Sequence, residues 1–223
     1  MSKLKMILSI GLIAVSMSMQ SCLDDDSGQS LNHSNAVVTV KSDENGLTYF
    51  QLDNKTILCP DSKEKLYNGK EVRALLNYED VSTNAIKFTK IIHINWIDSI
   101  STKDIVKVEN GVIPNNIGND PIEVVNDWVT VLEDGYLTLR VRASWGNSSI
   151  PHFINLLTGT NSKDPYEVEL HHDINGDKSE RFGDALIAFR LKGLDFKDGQ
   201  KLTLCWKSFD GSEKKHVFTL SNN

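Results

Sequence analysis

The segment Glu169-Leu170-His171-His172-Asp173-Ile174-Asn175-Gly176-Asp177-Lys178-Ser179-Glu180 concentrates more potential chemistry than any other stretch of this chain. Imidazoles and carboxylates at such spacing can ligate divalent cations, and Asp-x-Asn-x-Asp superficially matches a calcium loop. The match fails in detail. An EF-hand loop needs glycine at its sixth position and glutamate at its twelfth, whereas Gly176 is fourth counted from Asp173. Neighbouring histidines on a strand also project to opposite faces, so His171 and His172 cannot ligate from one side. The reading that fits is a polar hairpin turn built on Asn175-Gly176, with no metal.

His152 follows Pro151, with Arg142 and Trp145 close by in sequence, a combination that could line a ligand pocket. A histidine entering a strand is more simply a packed structural group. Trp96, Trp128 and Trp206 stand in apolar strands and are predicted to be core rather than a sugar-stacking platform. Trp145, in Ser144-Trp145-Gly146-Asn147, falls in a turn and is predicted to be the exposed one. GxSxG, GxGxxG after a strand, GxxxxGK[ST] and HExxH are all missing. No catalytic residue and no cofactor are therefore assigned, and the chain is predicted not to be an enzyme. Catalytic groups assemble by geometry rather than sequence order, so an envelope hydrolase with a site around His152 or His171 stands as the alternative function.

Chemistry of another kind is written at the start. Lys3 and Lys5 precede an apolar run from Met6 to Val15, and the small residue Ser21 precedes Cys22. This is the pattern of a secretory signal peptide, far short of the roughly 20 apolar residues that span a bilayer. A cysteine at that boundary reads as a lipid acceptor, the leader being cut between Ser21 and Cys22 and the cysteine acylated with palmitate-type chains. Each buried methylene contributes about 0.8 kcal/mol, and two or more chains anchor a protein stably. The triplet Asp24, Asp25 and Asp26 is physically a solvated charge run. It resembles the export signal of Bacteroidetes lipoproteins, which implies an outer-membrane, lipid-anchored protein facing outward. Asp98-Ser99-Ile100 fits the context used for O-glycosylation in such envelopes, making Ser99 a candidate modification site.

The other cysteines, Cys59 and Cys205, could pair in an oxidising envelope. They lie in the apolar runs Ile57-Leu58-Cys59 and Leu204-Cys205-Trp206 and fall in different predicted domains, which favours two buried thiols. No CxxC occurs, excluding thioredoxin chemistry and zinc ribbons. Removing the leader with Lys3 and Lys5 takes the formal charge from −6 to −8. An acidic chain without clustered Lys and Arg lacks the footprint of a nucleic-acid binder. Membrane contact would come through the lipid alone, leaving a protein at the cell surface as the expected further partner.

The elements that must position these residues read as short strands. Residues 22–35 form a polar, acidic tether. Val37–Val40, Leu47–Leu52, Thr56–Cys59, Lys70–Tyr78 and Ala85–Ile97 then alternate with turn signals such as Asp43-Glu44-Asn45-Gly46. Five strands over residues 36–110 suit a small OB-like barrel. The turn-rich stretch 101–121 is predicted to hold the domain boundary. About seven strands over residues 111–223 then suit an antiparallel β-sandwich. Within it Tyr136, Thr138, Arg140 and Arg142 alternate with Leu137, Leu139 and Val141, predicting one wet and one buried face. The fold class is all-β, with residues 1–21 as leader.

Several segments together resemble the NigD-like lipoproteins of Bacteroidetes. They are Cys22-Leu23-Asp24-Asp25-Asp26, Tyr49-Phe50-Gln51-Leu52-Asp53, Ser101-Thr102-Lys103-Asp104-Ile105, Ile117-Gly118-Asn119-Asp120-Pro121-Ile122 with Asn126-Asp127-Trp128, His152-Phe153-Ile154-Asn155-Leu156, the Leu170–Asp177 segment, and Thr203-Leu204-Cys205-Trp206 with Phe209-Asp210-Gly211. The resemblance covers essentially all of the chain after the leader. It implies an N-terminal OB-like domain and a C-terminal β-sandwich. Cys59 departs from it, standing where an aromatic before proline is expected, so any bridge to Cys205 would be particular to this chain. The family name comes from a bacteriocin-associated operon, which implies an immunity or accessory role by gene position. No catalytic residue is assigned in the family, so none carries over.

Overall fold

The structure is a computed structural model that describes residues 33–82, 89–109, 111–178, 181–197 and 199–220. Cys22, expected to accept the lipid, the acidic triplet Asp24, Asp25 and Asp26, and most of the expected tether lie outside the described residues. Among the described residues no helix is long and apolar enough to cross a membrane.

Five strands, β1 (His33–Ser42), β2 (Thr48–Gln51), β3 (Ile57–Pro60), β4 (Val72–Ser82) and β5 (Thr89–Ser99), close into a barrel in the order β1-β2-β3-β5-β4. Period-two alternation fills its interior with Ala36, Val38 and Val40 of β1, Ala74, Leu76 and Tyr78 of β4, and Phe50, Leu58 and Ile92. The β1–β2 hairpin is shaped by Asp43, whose Oδ1 accepts from the N–H groups of Asn45 and Leu47 at 2.9 and 2.7 Å.

The sandwich holds the remaining strands. One sheet runs β6 (Ser101–Asp104), β13 (Phe182–Arg190), β10 (Tyr136–Ser144), β8 (Glu123–Val125), with β9 (Val131–Glu133) also pairing β10. The other runs β15 (Glu213–Thr219), β14 (Lys201–Lys207), β12 (Glu167–Asp173), β11 (Phe153–Thr158), β7 (Val106–Lys107). The all-β class of barrel followed by sandwich is as expected, while β6 with β13, β7 with β11 and β12 with β14 pair in parallel. The inner faces meet over Leu137, Leu139, Val141, Leu156, Leu170, Phe189, Leu202 and Leu204.

Two expectations need correcting. The chain leaves the barrel at Ile100, since β6 and β7 already belong to the sandwich sheets, about ten residues before the predicted boundary at 110/111. The turn-rich stretch that suggested a linker begins with these two strands, and its later part, residues 111–121, is a surface loop of the sandwich. Its Ile117 is buried against Val108 and Leu157, and the Asp120 N–H donates to the His172 carbonyl at 2.8 Å. Composition marks turns; it does not say whether the turn is tied down. The second correction concerns Asn175-Gly176. Both residues have positive φ (51° and 79°), as a tight turn demands. Yet β12 and β13 lie in different sheets, so the turn belongs to an inter-sheet crossing, not a hairpin.

Candidate functional site

The outer face of β10 is not uniformly wet. Its β13-side neighbours in register are Arg190 opposite Tyr136, Ala188 opposite Thr138, Leu186 opposite Arg140, Asp184 opposite Arg142 and Phe182 opposite Ser144. The barrel sits on the Tyr136–Thr138 end, burying Tyr136 and Thr138. Val37 of β1, Ile100, Val129, Tyr136 and Ala188 make the apolar part of this junction. Arg73, fully buried, makes the polar part. Its Nε donates to the Thr138 hydroxyl at 3.1 Å, Nη1 to the Thr39 hydroxyl at 3.1 Å and Nη2 to Glu133 at 3.2 Å. Burial pulls the guanidinium below its ordinary value and lifts the Glu133 carboxyl, so desolvation outweighs the attraction between them. Beside it the Tyr136 hydroxyl donates to Glu71, and burial followed by that bond pushes its pKa up to about 12. Lys41 of β1 reaches Asp134 at 2.9 Å.

The other end of that face is bare. Arg140 and Arg142 converge on Asp184 with contacts of 2.6–3.0 Å, and Arg140 also holds Asp127 at 2.8 Å. The Arg142 bond leads in holding the Asp184 carboxyl down at about 2; burial opposes it, and the Arg140 bond and the charges of both arginines add to the lowering. Around this neutralised cluster stand three exposed aromatics, Trp128 (55 %), Phe182 (61 %) and Phe209 (38 %), with the Phe182 and Phe209 rings 5.0 Å apart. Glu123 of β8 fixes Phe209, accepting from its backbone N–H at 3.1 Å, from the Ser208 hydroxyl and from Lys214 at 3.1 Å. Arginine and aromatic side chains on a rigid sheet are the composition of interface anchors.

The histidines divide in two. His171 and His172 point to opposite sides of β12, as the strand requires. His172 Nδ1 lies 3.2 Å from the Pro121 carbonyl, which accepts its proton, leaving Nε2 to accept from His152 Nδ1 at 2.9 Å. His152 Nε2 lies 3.2 Å from Asp177, whose same oxygen accepts from the N–H groups of Gly146 and Asn147 at 2.7 and 3.0 Å. Those two backbone bonds lead in keeping the Asp177 carboxyl below its ordinary value. Trp145, expected to be exposed, is half-buried and stacks on His152 at 4.0 Å, while its indole N–H donates to the Gly183 carbonyl at 3.0 Å. Gly183 is required there: a Cβ would sit 2.7 Å from the indole Cδ1. The His152 side chain has no exposed surface at all. This is an interior brace for two loops, and burial depresses the His172 pKa accordingly.

His171 lines a cleft of about 380 Å³ with Glu169, Cys205, Lys207 and Glu213. Both its nitrogens are engaged, Nδ1 with the Gly118 carbonyl at 2.9 Å and Nε2 with Glu169 at 3.1 Å. Burial, then the charge of Glu167, pushes the Cys205 thiol up to about 11, the opposite of an activated nucleophile. Cys59 is also a free thiol, half-buried at the edge of a 450 Å³ groove on the barrel with Tyr49 and Ile57. Among the described residues no group of three or more His, Cys, Asp or Glu is placed to hold a metal ion. Asp173 and Asp177 instead accept backbone N–H groups of the loops. Ser99 ends β5 with its side chain exposed. Trp96 (45 %) and Trp128 stand in solvent, not in the core; only Trp206 is buried as expected. Trp128 follows Asn126-Asp127 in a break between β8 and β9, a polar context that was a usable signal. Phe182 and Phe209 were missed altogether, although Phe209 stands in the turn signalled by Asp210-Gly211.

The chain matches the NigD-like N-terminal OB domain over residues 37–100 and the NigD-like C-terminal beta sandwich domain over residues 104–220. Among curated proteins none matches. Among solved structures, a Parabacteroides distasonis protein described as toxin-related is 28 % identical with a TM-score of 0.71, over 86 % of this chain and 95 % of its own. A Bacteroides caccae NigD-like immunity protein is similar at 22 % identity and TM-score 0.57, over 85 % and 98 %. A Bacteroides fragilis protein described as a lipoprotein shares the fold at 14 % identity and TM-score 0.59, over 85 % and 98 %. With both domains matched in order over most of its length, this chain belongs to the NigD-like family.

Proposed function

We propose that this protein is a lipid-anchored, non-catalytic interaction module of the outer membrane, facing outward, with an immunity-like or accessory role toward a protein partner. One observation carries the non-catalytic part. The residues best able to do acid–base chemistry, His152 and His172, are braced in the interior with the His152 side chain wholly out of solvent. The exposed chemistry of the sandwich is instead the arginine and aromatic face of Trp128, Arg140, Arg142, Phe182 and Phe209. The leader ending at Cys22 supports the anchor, the aspartates after it support export, and the lipoprotein description of the B. fragilis relative agrees. The immunity description of the B. caccae relative supports the partner class. Ser99, exposed at the end of β5, is the proposed glycosylation site.

A single experiment on intact cells tests the address. Metabolic labelling with a fatty-acid probe marks the wild type and not Cys22→Ala, and added protease removes the wild type from unbroken cells. Labelling that survives Cys22→Ala overturns the lipid acceptor; full protease protection overturns the outward orientation.

A further inference from the structure

Strand β5 carries a β-bulge whose consequence lies on the outer face of the barrel, apart from the His152–His172 brace of the sandwich. The register pairs Asn77 with Trp96 but Tyr78 with Ile94, so Asn95 is an extra residue. A bulge breaks the in–out alternation and re-aims side chains. Ile94 and Ile97 pack against the barrel interior, while the two residues between them, Asn95 and Trp96, are both exposed. Directly across lies Asn77, and across from Asn77 on β1 lies Asn35. The amides form a row: Asn95 Nδ2 donates to Asn77 Oδ1 at 2.9 Å, and Asn77 Nδ2 donates to Asn35 Oδ1 at 2.7 Å. The result is a row of fixed amides running over three strands beside an exposed indole.

We propose that Trp96 with Asn35, Asn77 and Asn95 forms a binding platform for a neutral hexopyranose glycan. A pyranose presents an apolar C–H face, which an indole covers, and a rim of hydroxyls that both donate and accept. A carboxamide does both as well, unlike a carboxylate or an ammonium. The ladder holds each amide in one orientation before any ligand arrives, which lowers the ordering cost of binding. Charge sets the class of glycan. None of the four residues is charged. The outward neighbours on β4 and β5 are Glu79, Asp98 and His93, whose ring is held by the Asp61 carboxylate at 2.9 Å. Carboxylates outnumber the one basic group there, and the chain carries a formal −6. Uronic-acid or phosphorylated polymers are therefore repelled. The platform uses β1, β4 and β5, and shares no residue with the arginine and aromatic face of the sandwich, so it is a second function, independent of the protein partner proposed above.

Affinity electrophoresis of the detergent-solubilised full-length protein tests it, with gels containing a soluble glucan, a mannan, a galactan or, as charged control, polygalacturonate. The wild type is retarded by at least one neutral polymer and not by polygalacturonate. Trp96→Ala weakens the retardation about tenfold or more, Asn77→Ala weakens it less, and Trp96→Phe keeps part of it. Phe182→Ala leaves it unchanged. Unaltered far-ultraviolet circular dichroism and thermal midpoint show that the variants fold, as the exposure of Trp96 leads one to expect. Absence of retardation in every neutral gel overturns the proposal, as does retardation that survives Trp96→Ala or is stronger with polygalacturonate.

Discussion

The two ends of the outer face of β10 begin from the same sequence pattern and finish in opposite conditions. Tyr136 and Thr138 are sealed under the barrel, where Arg73 spreads its donors over two hydroxyls and one carboxylate. Arg140 and Arg142, two and four residues on, lie in solvent and share Asp184. A buried guanidinium holds the domains in register and its loss leaves other groups stranded. An exposed pair contributes little to stability, being screened by water and salt, and is free to act as surface. Burial, not residue type, separates scaffold from contact face.

The largest effect expected comes from breaking the covered end. Arg73→Ala removes the guanidinium and leaves the buried Thr39 and Thr138 hydroxyls without their partner, at a cost of about 3–5 kcal/mol. Arg73→Met keeps most of the volume and lets Glu133, already partly exposed, turn to water, so about 1–2 kcal/mol is lost. Urea denaturation of both variants checks the order. Equal, negligible losses would mean the junction is only an apolar contact.

An intermediate effect is expected at the histidine brace, and it depends on pH. The His172 pKa is lowered from an ordinary 6.5 and that of Asp177 from 3.8. A lowered folded value means stability that is full above the ordinary value and is lost as pH falls through the folded one. Stability therefore declines below pH 6.5 through His172, and again below 3.8 through Asp177. Urea midpoints measured from pH 7.5 down to pH 3 should fall less steeply in His172→Gln over the upper part of that range. Asp177→Asn should flatten the lower part while lowering the midpoint at neutrality. Parallel curves for wild type and both variants would separate the brace from acid unfolding.

The smallest effect is expected at the bare end. Asp184→Asn takes the shared carboxylate from both exposed arginines and leaves Arg140 with Asp127, yet the thermal midpoint should hardly move and its remaining shift should vanish in high salt. A large loss that persists in salt would make this cluster part of the scaffold.

The pattern of legibility follows the same division. Strand alternation revealed the barrel interior, and the clean period of Tyr136–Arg142 revealed the two faces of β10, because both are set by local geometry. That Tyr136 and Thr138 would be covered depends on the barrel docking there, a contact between residues about 65 positions apart in sequence (Arg73 with Thr138, Glu71 with Tyr136). The bulge that turns Trp96 outward depends on pairing with β4 and has no mark in the apolar run around it. Asn175-Gly176 showed its turn but not the sheet change behind it. His152 and Asp177 meet across two loops, which no spacing rule foretells.

The claim that the bare end is a contact face has a direct measurement. Hydroxyl-radical footprinting compares the purified protein with the same protein in intact envelopes, scored at Trp128, Phe182 and Phe209, with Val217 of the exposed β15 edge as reference. The account predicts strong labelling of the three aromatics in the purified protein and marked protection in the envelope, with Val217 unchanged. Equal labelling of the aromatics in both settings would contradict it.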